Sequence, residues 1–150
     1  MTMHYLEDLS VGQKFGTDRL KVDAARIKSF AAEFDPQPFH LDEAAAEKSL
    51  LRGLAASGWH TAAMTMRLLV DGKFKPAGGI LGAGFDQLQW PLAVRPGDEL
   101  HAESAIIDVR PSRSKPGIGL VKVRVTTHNQ NNEPVQIFIV NLIVPRRSNS

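Results

Sequence analysis

The residues best suited to chemistry lie in one short stretch, Phe34-Asp35-Pro36-Gln37-Pro38-Phe39-His40. A carboxylate and an imidazole stand five positions apart in a segment stiffened by two prolines. Proline fixes φ and lowers the entropy of the unfolded loop. A stiff loop can hold both groups on one small object, such as a water molecule, and the pair can then serve as base and acid in a single step. Phe34 and Phe39 are placed to keep the pair partly dry, which would shift both pKa values. A plainer role fits the same residue types. Aspartate before proline is a common turn, and His40 ahead of Leu41-Asp42 fits a satisfied surface histidine. Residue types alone leave both readings open.

A second element is Ala56-Ser57-Gly58-Trp59-His60. It reads as the start of a helix, where free backbone N–H groups and partial positive charge gather. Gly58 has no Cβ and permits close approach of a ligand oxygen. A carbonyl oxygen that gains charge, as in a thioester, would be stabilised there. Ordinary capping by Ser57, with a glycine needed for packing, explains the same residues. His60 either lines the pocket or is a packed, hydrogen-bonded histidine.

The elements that must position these groups follow from pattern. Gly12 to Val22 alternates weakly and reads as a first strand. Asp23 is a good N-cap for a helix carrying Ile27, Phe30, Ala31 and Phe34. That helix stops near Asp35, because proline disfavours the α region in the residue before it. Asp42 to Ser49 reads as a short Ala-rich helix with acidic residues in its first turn. Ser57 to Asp71 is the strongest helix, with Ala62, Ala63, Met66, Leu69 and Val70 on one broad apolar side. It reads as apolar nearly all round and buried. Four strands close the chain, at about Ile80–Gln89, Asp98–Val109, Leu120–His128 and Val135–Val144. Arg95-Pro96-Gly97-Asp98 forms a turn between the first two. The order implies one α+β domain over residues 1–150, with helices on one face of an antiparallel sheet and 146–150 a flexible tail.

Composition excludes several classes. The 150 residues are 43% hydrophobic and 23% charged, ordinary for a globular chain and enough for an unaided core. Cysteine is absent, so no disulfide, thiolate zinc site or cysteine nucleophile is available. The net charge of +2 is no nucleic-acid signature. The N-terminus does not read as a signal peptide, and no run reaches the roughly 20 apolar residues of a membrane span. The expectation is a cytoplasmic protein with no membrane or nucleic-acid partner. His40 and Asp42 look like a fragment of a metal site, but no clustered ligand set accompanies them, so no metal is assigned. Gly78 to Gly84 precedes a strand rather than a helix and does not fit a dinucleotide site.

The order of helix, Asp-x-x-Pro-x-His, short acidic helix, then glycine opening a long apolar helix resembles the MaoC-like dehydratase family. That family includes the (R)-specific enoyl-CoA hydratases and has the hot dog fold, a curved antiparallel sheet wrapped around a long central helix. The resemblance runs from about Leu6 to the final strand. It puts Asp35 and His40 on the family's catalytic pair, and Gly58 on the glycine whose N–H binds the thioester oxygen. Asp42 fits the His-x-Asp continuation, and Gly97-Asp98 is frequent in the family. Phe34 and Gln37 depart from the usual glycine and asparagine, and Trp59-His60 replaces a commonly aliphatic or Met-containing stretch.

The resemblance implies reversible hydration of a trans-2-enoyl thioester to an (R)-3-hydroxyacyl product, with catalytic Asp35, His40 and Gly58. Phe34, Ser57, Trp59 and His60 are the candidate substrate-binding residues near the pair. It implies no cofactor beyond coenzyme A as part of the substrate, with acyl carrier protein the other possible carrier. Arg113 and Lys115, in a basic Ser-Pro-Gly loop, are candidates for the phosphates, although a solvated basic loop fits equally. It also implies a homodimer with the site at the interface. A thioesterase on the same fold and a non-catalytic acyl-thioester binding protein are the competing functions.

Overall fold

The computed structural model describes residues 2–147. After a 3-10 turn at Leu6–Asp8, the chain enters two short strands, β1 (Lys14–Gly16) and β2 (Leu20–Lys21). Three helices follow, α1 (Ala24–Phe34), α2 (Pro38–Leu41) and α3 (Glu43–Glu47), and then the long α4 (Gly58–Asp71). Strands β3 (Gly82–Gln89), β4 (Glu99–Pro111), β5 (Ile118–His128) and β6 (Pro134–Pro145) complete the chain. All pairings are antiparallel, in the order β1-β4-β5-β6-β3, with β2 also paired to β4. The expected α+β architecture of one antiparallel sheet and a long helix is thus present.

The single first strand expected over Gly12 to Val22 is broken in two. Phe15 pairs with Ser104 and Leu20 with Leu100, so four intervening residues on one side face three on the other. At the break, the Thr17 hydroxyl accepts from the Ala102 N–H at 2.9 Å, replacing a backbone partner. Asp23 caps α1 as its type suggests, accepting from the Arg26 N–H at 2.8 Å. The expected helix from Asp42 is preceded by a turn the pattern did not reveal. Pro38 at its first position opens α2, since proline has no N–H to lose there. Asp42 then ends α2 and caps α3, accepting from the Ala45 N–H at 2.9 Å.

The sheet alternates as read. Val121, Val123 and Val125 are buried, and Arg124 is exposed between them. They join Leu69, Ile106, Phe138 and Val140 in one core between α4 and the sheet. A second core joins Val22, Ile27, Leu54, Met64, Leu68 and Val135 beneath the site. The helix is not buried all round, which corrects the expectation. Met64, Thr65, Leu68 and Leu69 face inward, whereas Trp59, Met66 and Val70 are 60%, 41% and 49% exposed. Composition made the helix apolar on both sides, and only packing showed which side meets the sheet. No helix among the described residues is long and apolar enough to cross a membrane. Residues 148–150 of the expected tail lie outside the described residues.

Candidate active site

Asp35 ends α1 with φ −152° and ψ 64°, outside the helical region. Its carboxylate turns toward the start of α4, where the fully buried Ser57 hydroxyl donates to Oδ2 at 2.7 Å. The Gln37 side-chain amide donates to Oδ1. Gln37, two residues on, thus reaches back to the carboxylate. Burial opposes ionisation of Asp35. The hydrogen bonds from Ser57 and Gln37 and the proximity of His40 outweigh it and hold the carboxyl below the usual aspartate range.

His40, in α2, is 6% exposed. Its Nδ1 lies 2.7 Å from the Ala55 carbonyl oxygen. A carbonyl only accepts, so Nδ1 carries the proton. Nε2 then points at Asp35, 3.4 Å from Oδ2. The Phe39 ring stands edge-on to the imidazole, with centroids 4.7 Å apart. Phe34 does not cover the pair as expected. It is 65% exposed and leans on Phe30.

The Ala55 carbonyl that orients His40 is held from below. The Arg95 guanidinium donates to the carbonyls of Gly53 at 2.8 Å, Leu54 at 3.3 Å and Leu51. The Ala56 N–H donates to Val94 at 2.9 Å. Arg95 begins the turn read from sequence, where Gly97 takes φ +89° and the Asp98 carboxylate accepts from the Arg95 N–H at 2.8 Å. The turn was legible, but its use as a clamp on the loop behind His40 was not.

Ser57 caps α4, accepting from the Trp59 N–H at 3.2 Å. Among the described residues no partner meets the Gly58 N–H, the first of the helix. The lack of a side chain at Gly58 has a packing reason as well. A Cβ there would lie 2.6 Å from the Trp90 indole. Trp90, absent from the sequence-based candidates, stands beside Gly58, and Trp59 meets it edge-on at 5.3 Å. His40, Ala55, Gly58, Thr61, Trp90 and Leu92 line one cleft.

His60 is not in that cleft. Its ring stacks on Phe30 at 4.6 Å with planes 7° apart, in the contact between α1 and α4. Burial, reinforced by Arg26, pushes its pKa down. One helical step turns its side chain about 100° from Trp59, a direction the sequence signals only through the α1 aromatic opposite. Arg113 and Lys115 are not brought to the pair within the chain either. They occupy the β4–β5 hairpin, beyond Pro111, whereas Leu100 at the other end of β4 packs in the core beneath the site. Eleven residues of strand span about 35 Å. No group of three or more His, Cys, Asp or Glu side chains that could hold a metal is found among the described residues.

The chain is similar to known proteins in sequence and in fold. Residues 8–129 match the model of the MaoC like domain. A MaoC-like dehydratase from Rhodospirillum rubrum is 53% identical, with a TM-score of 0.94 over 97% of this chain and 99% of that one. The (R)-hydratase from A. caviae involved in PHA biosynthesis is 26% identical, with a TM-score of 0.74 over 93% of this chain and 99% of that one. The uncharacterised Bacillus subtilis protein YdeM is 35% identical over 89% of this chain and 92% of its own length. These matches support a dehydratase or hydratase activity, and they carry the hot dog fold. The chain belongs to the MaoC-like domain family.

Proposed function

We propose that the protein is a hydro-lyase that adds water reversibly to a trans-2-enoyl thioester of coenzyme A or acyl carrier protein, giving the (R)-3-hydroxyacyl product. The observation that carries this reading is the mutual placement of Asp35 and His40. One carboxylate oxygen and one imidazole nitrogen face each other at 3.4 Å, each fixed from behind by a hydrogen bond. A water beside both would find two acceptors, because Oδ2 keeps a free lone pair beyond the Ser57 bond and Nε2 carries no proton. Asp35, held ionised by Ser57 and Gln37, accepts one hydrogen of that water and orients it. His40 Nε2 takes the other proton as the water oxygen bonds to C3. The C2–C3 π pair moves into the thioester, and the enolate oxygen is stabilised by the Gly58 N–H at the positive end of α4. The imidazolium, stabilised by the Asp35 carboxylate, then returns its proton to C2 on the same face.

The exposed apolar stripe of Trp59, Met66 and Val70 on α4, together with Phe85 on the edge strand β3, supports pairing with a second copy, because single chains rarely leave such a patch open. The test is the fall in ultraviolet absorbance when a short trans-2-enoyl-CoA meets purified protein. Wild type should remove the conjugated double bond. Asp35→Asn and His40→Ala should each lose about 10²–10⁴-fold in rate while folding normally. Release of free thiol instead of hydration would move the assignment to a thioesterase, and binding without turnover would move it to an acyl-thioester binding protein.

A further inference from the structure

We infer that Trp90, anchored by a buried polar chain, ends the acyl pocket of this protein and restricts it to short acyl groups. The inference rests on the hydratase reading above. The Trp90 indole N–H donates to the Gln136 side-chain oxygen at 2.8 Å. The Gln136 amide donates to the Thr65 hydroxyl at 3.2 Å, and Thr65 and Thr127 share a hydrogen bond at 2.7 Å. Gln136, Thr65 and Thr127 are all fully buried.

The position of this chain gives it a consequence. On one side lies the cleft with His40, Gly58 and Thr61. On the other lies an apolar cavity lined by Met66, Leu69, Phe85, Phe138, Val140 and Leu142. Three segments pass from cleft to cavity, and each crosses at a member of the chain. Helix α4 runs from Thr61 through Thr65 to Leu69. Strand β6 runs from Val135 through Gln136 to Phe138. The chain from Leu92 runs back through Trp90 into β3 at Phe85. Gln136, Thr65 and Thr127 therefore form a partition in the interior, and the Trp90 ring, 41% exposed in the single chain, closes its outer end on the cleft side, packed on Gly58.

An acyl group that lengthens along the cleft meets this ring. Moving the ring aside strips Gln136 of its indole donor and leaves a buried amide oxygen unpaired, and a methylene chain has no donor to replace it. A short acyl group needs no such movement. The polar chain thus makes the wall stiff as well as bulky, which a tryptophan held by apolar contacts alone would not be.

The experiment compares kcat/KM for trans-2-butenoyl-CoA and trans-2-octenoyl-CoA in wild type, Trp90→Leu and Gln136→Leu. Wild type should favour the butenoyl substrate by about tenfold or more, in line with pocket discrimination by methylenes. Trp90→Leu should raise the octenoyl-to-butenoyl ratio by about tenfold, and Gln136→Leu, which keeps the ring and removes its anchor, by a smaller factor. Should Trp90→Leu not fold, Gln136→Leu carries the same test. A wild type that prefers octenoyl-CoA, or folded variants with an unchanged ratio, would overturn the inference while leaving the hydratase reading intact. A wild type that hydrates neither substrate nor any other enoyl-CoA overturns both.

Discussion

Ser57 offers the sharpest test of the site's electrostatics. Its hydroxyl does two things at once, donating to Asp35 at 2.7 Å and accepting from the Trp59 N–H as the cap of α4. Loss of a helix cap costs about 1 kcal/mol. Loss of a hydrogen bond to a charged group costs about 1.5–3 kcal/mol. The lower end applies here, because the Asp35 side chain keeps 18% of its exposure to solvent. Ser57→Ala should therefore lose about 2.5 kcal/mol at neutral pH. A double-mutant cycle with Asp35→Ala separates the two contributions, since the cap cancels and the coupling of about 1.5 kcal/mol remains. The folded-state pKa of Asp35 lies below its unfolded value, so this stability is fully present above the unfolded pKa of about 3.9. It is lost as pH falls through the depressed folded value. Urea unfolding of the four proteins across that range measures it. Additivity at neutral pH within about 0.5 kcal/mol, or a coupling that grows as the carboxyl protonates, would refute the ionised hydrogen-bonded Asp35.

Other perturbations follow from the same geometry. Gly58→Ala drives a Cβ to 2.6 Å from the Trp90 ring and should cost about 1–3 kcal/mol by overpacking, relieved when combined with Trp90→Leu, as thermal unfolding of single and double variants would show. Arg95→Ala frees three carbonyls of the loop behind His40. It should lower Tm by roughly 4–8 °C, for a loss of about 2 kcal/mol in a chain of this size, and should slow the reaction beyond what the stability change explains. His60 has a folded pKa below its unfolded value of about 6.5, so the unfolded state binds its proton first and stability declines as pH falls below that value. His60→Phe should flatten the decline in denaturant midpoints between about pH 7 and the depressed folded value.

The local structure around the site follows from residue types and their short-range spacing. Asp23, Asp42 and Ser57 are side chains whose oxygens reach N–H groups only two or three residues ahead, so their capping needs no distant partner. The prolines that end α1 and open α2 act through neighbouring backbone as well. The valines of β5 carry their burial in a period of two. Asp35 and His40 could be named because a rigid loop brings together residues that are near in sequence. Tertiary structure decided what those residues meet. Ser57 lies 22 positions from the Asp35 it bonds, Ala55 lies 15 from His40, and Arg95 more than 40 from the carbonyls it holds. A helix apolar on two sides does not declare which one it buries, so Met66 and Val70 turned out exposed and Thr65 enclosed. The same ambiguity sent His60 to Phe30 and hid Trp90, which meets Gly58 only once β3 has folded back along β6. Short-range hydrogen bonds and periodicity are written along the chain, whereas the walls of the cleft come from segments whose meeting depends on how the sheet curls around α4.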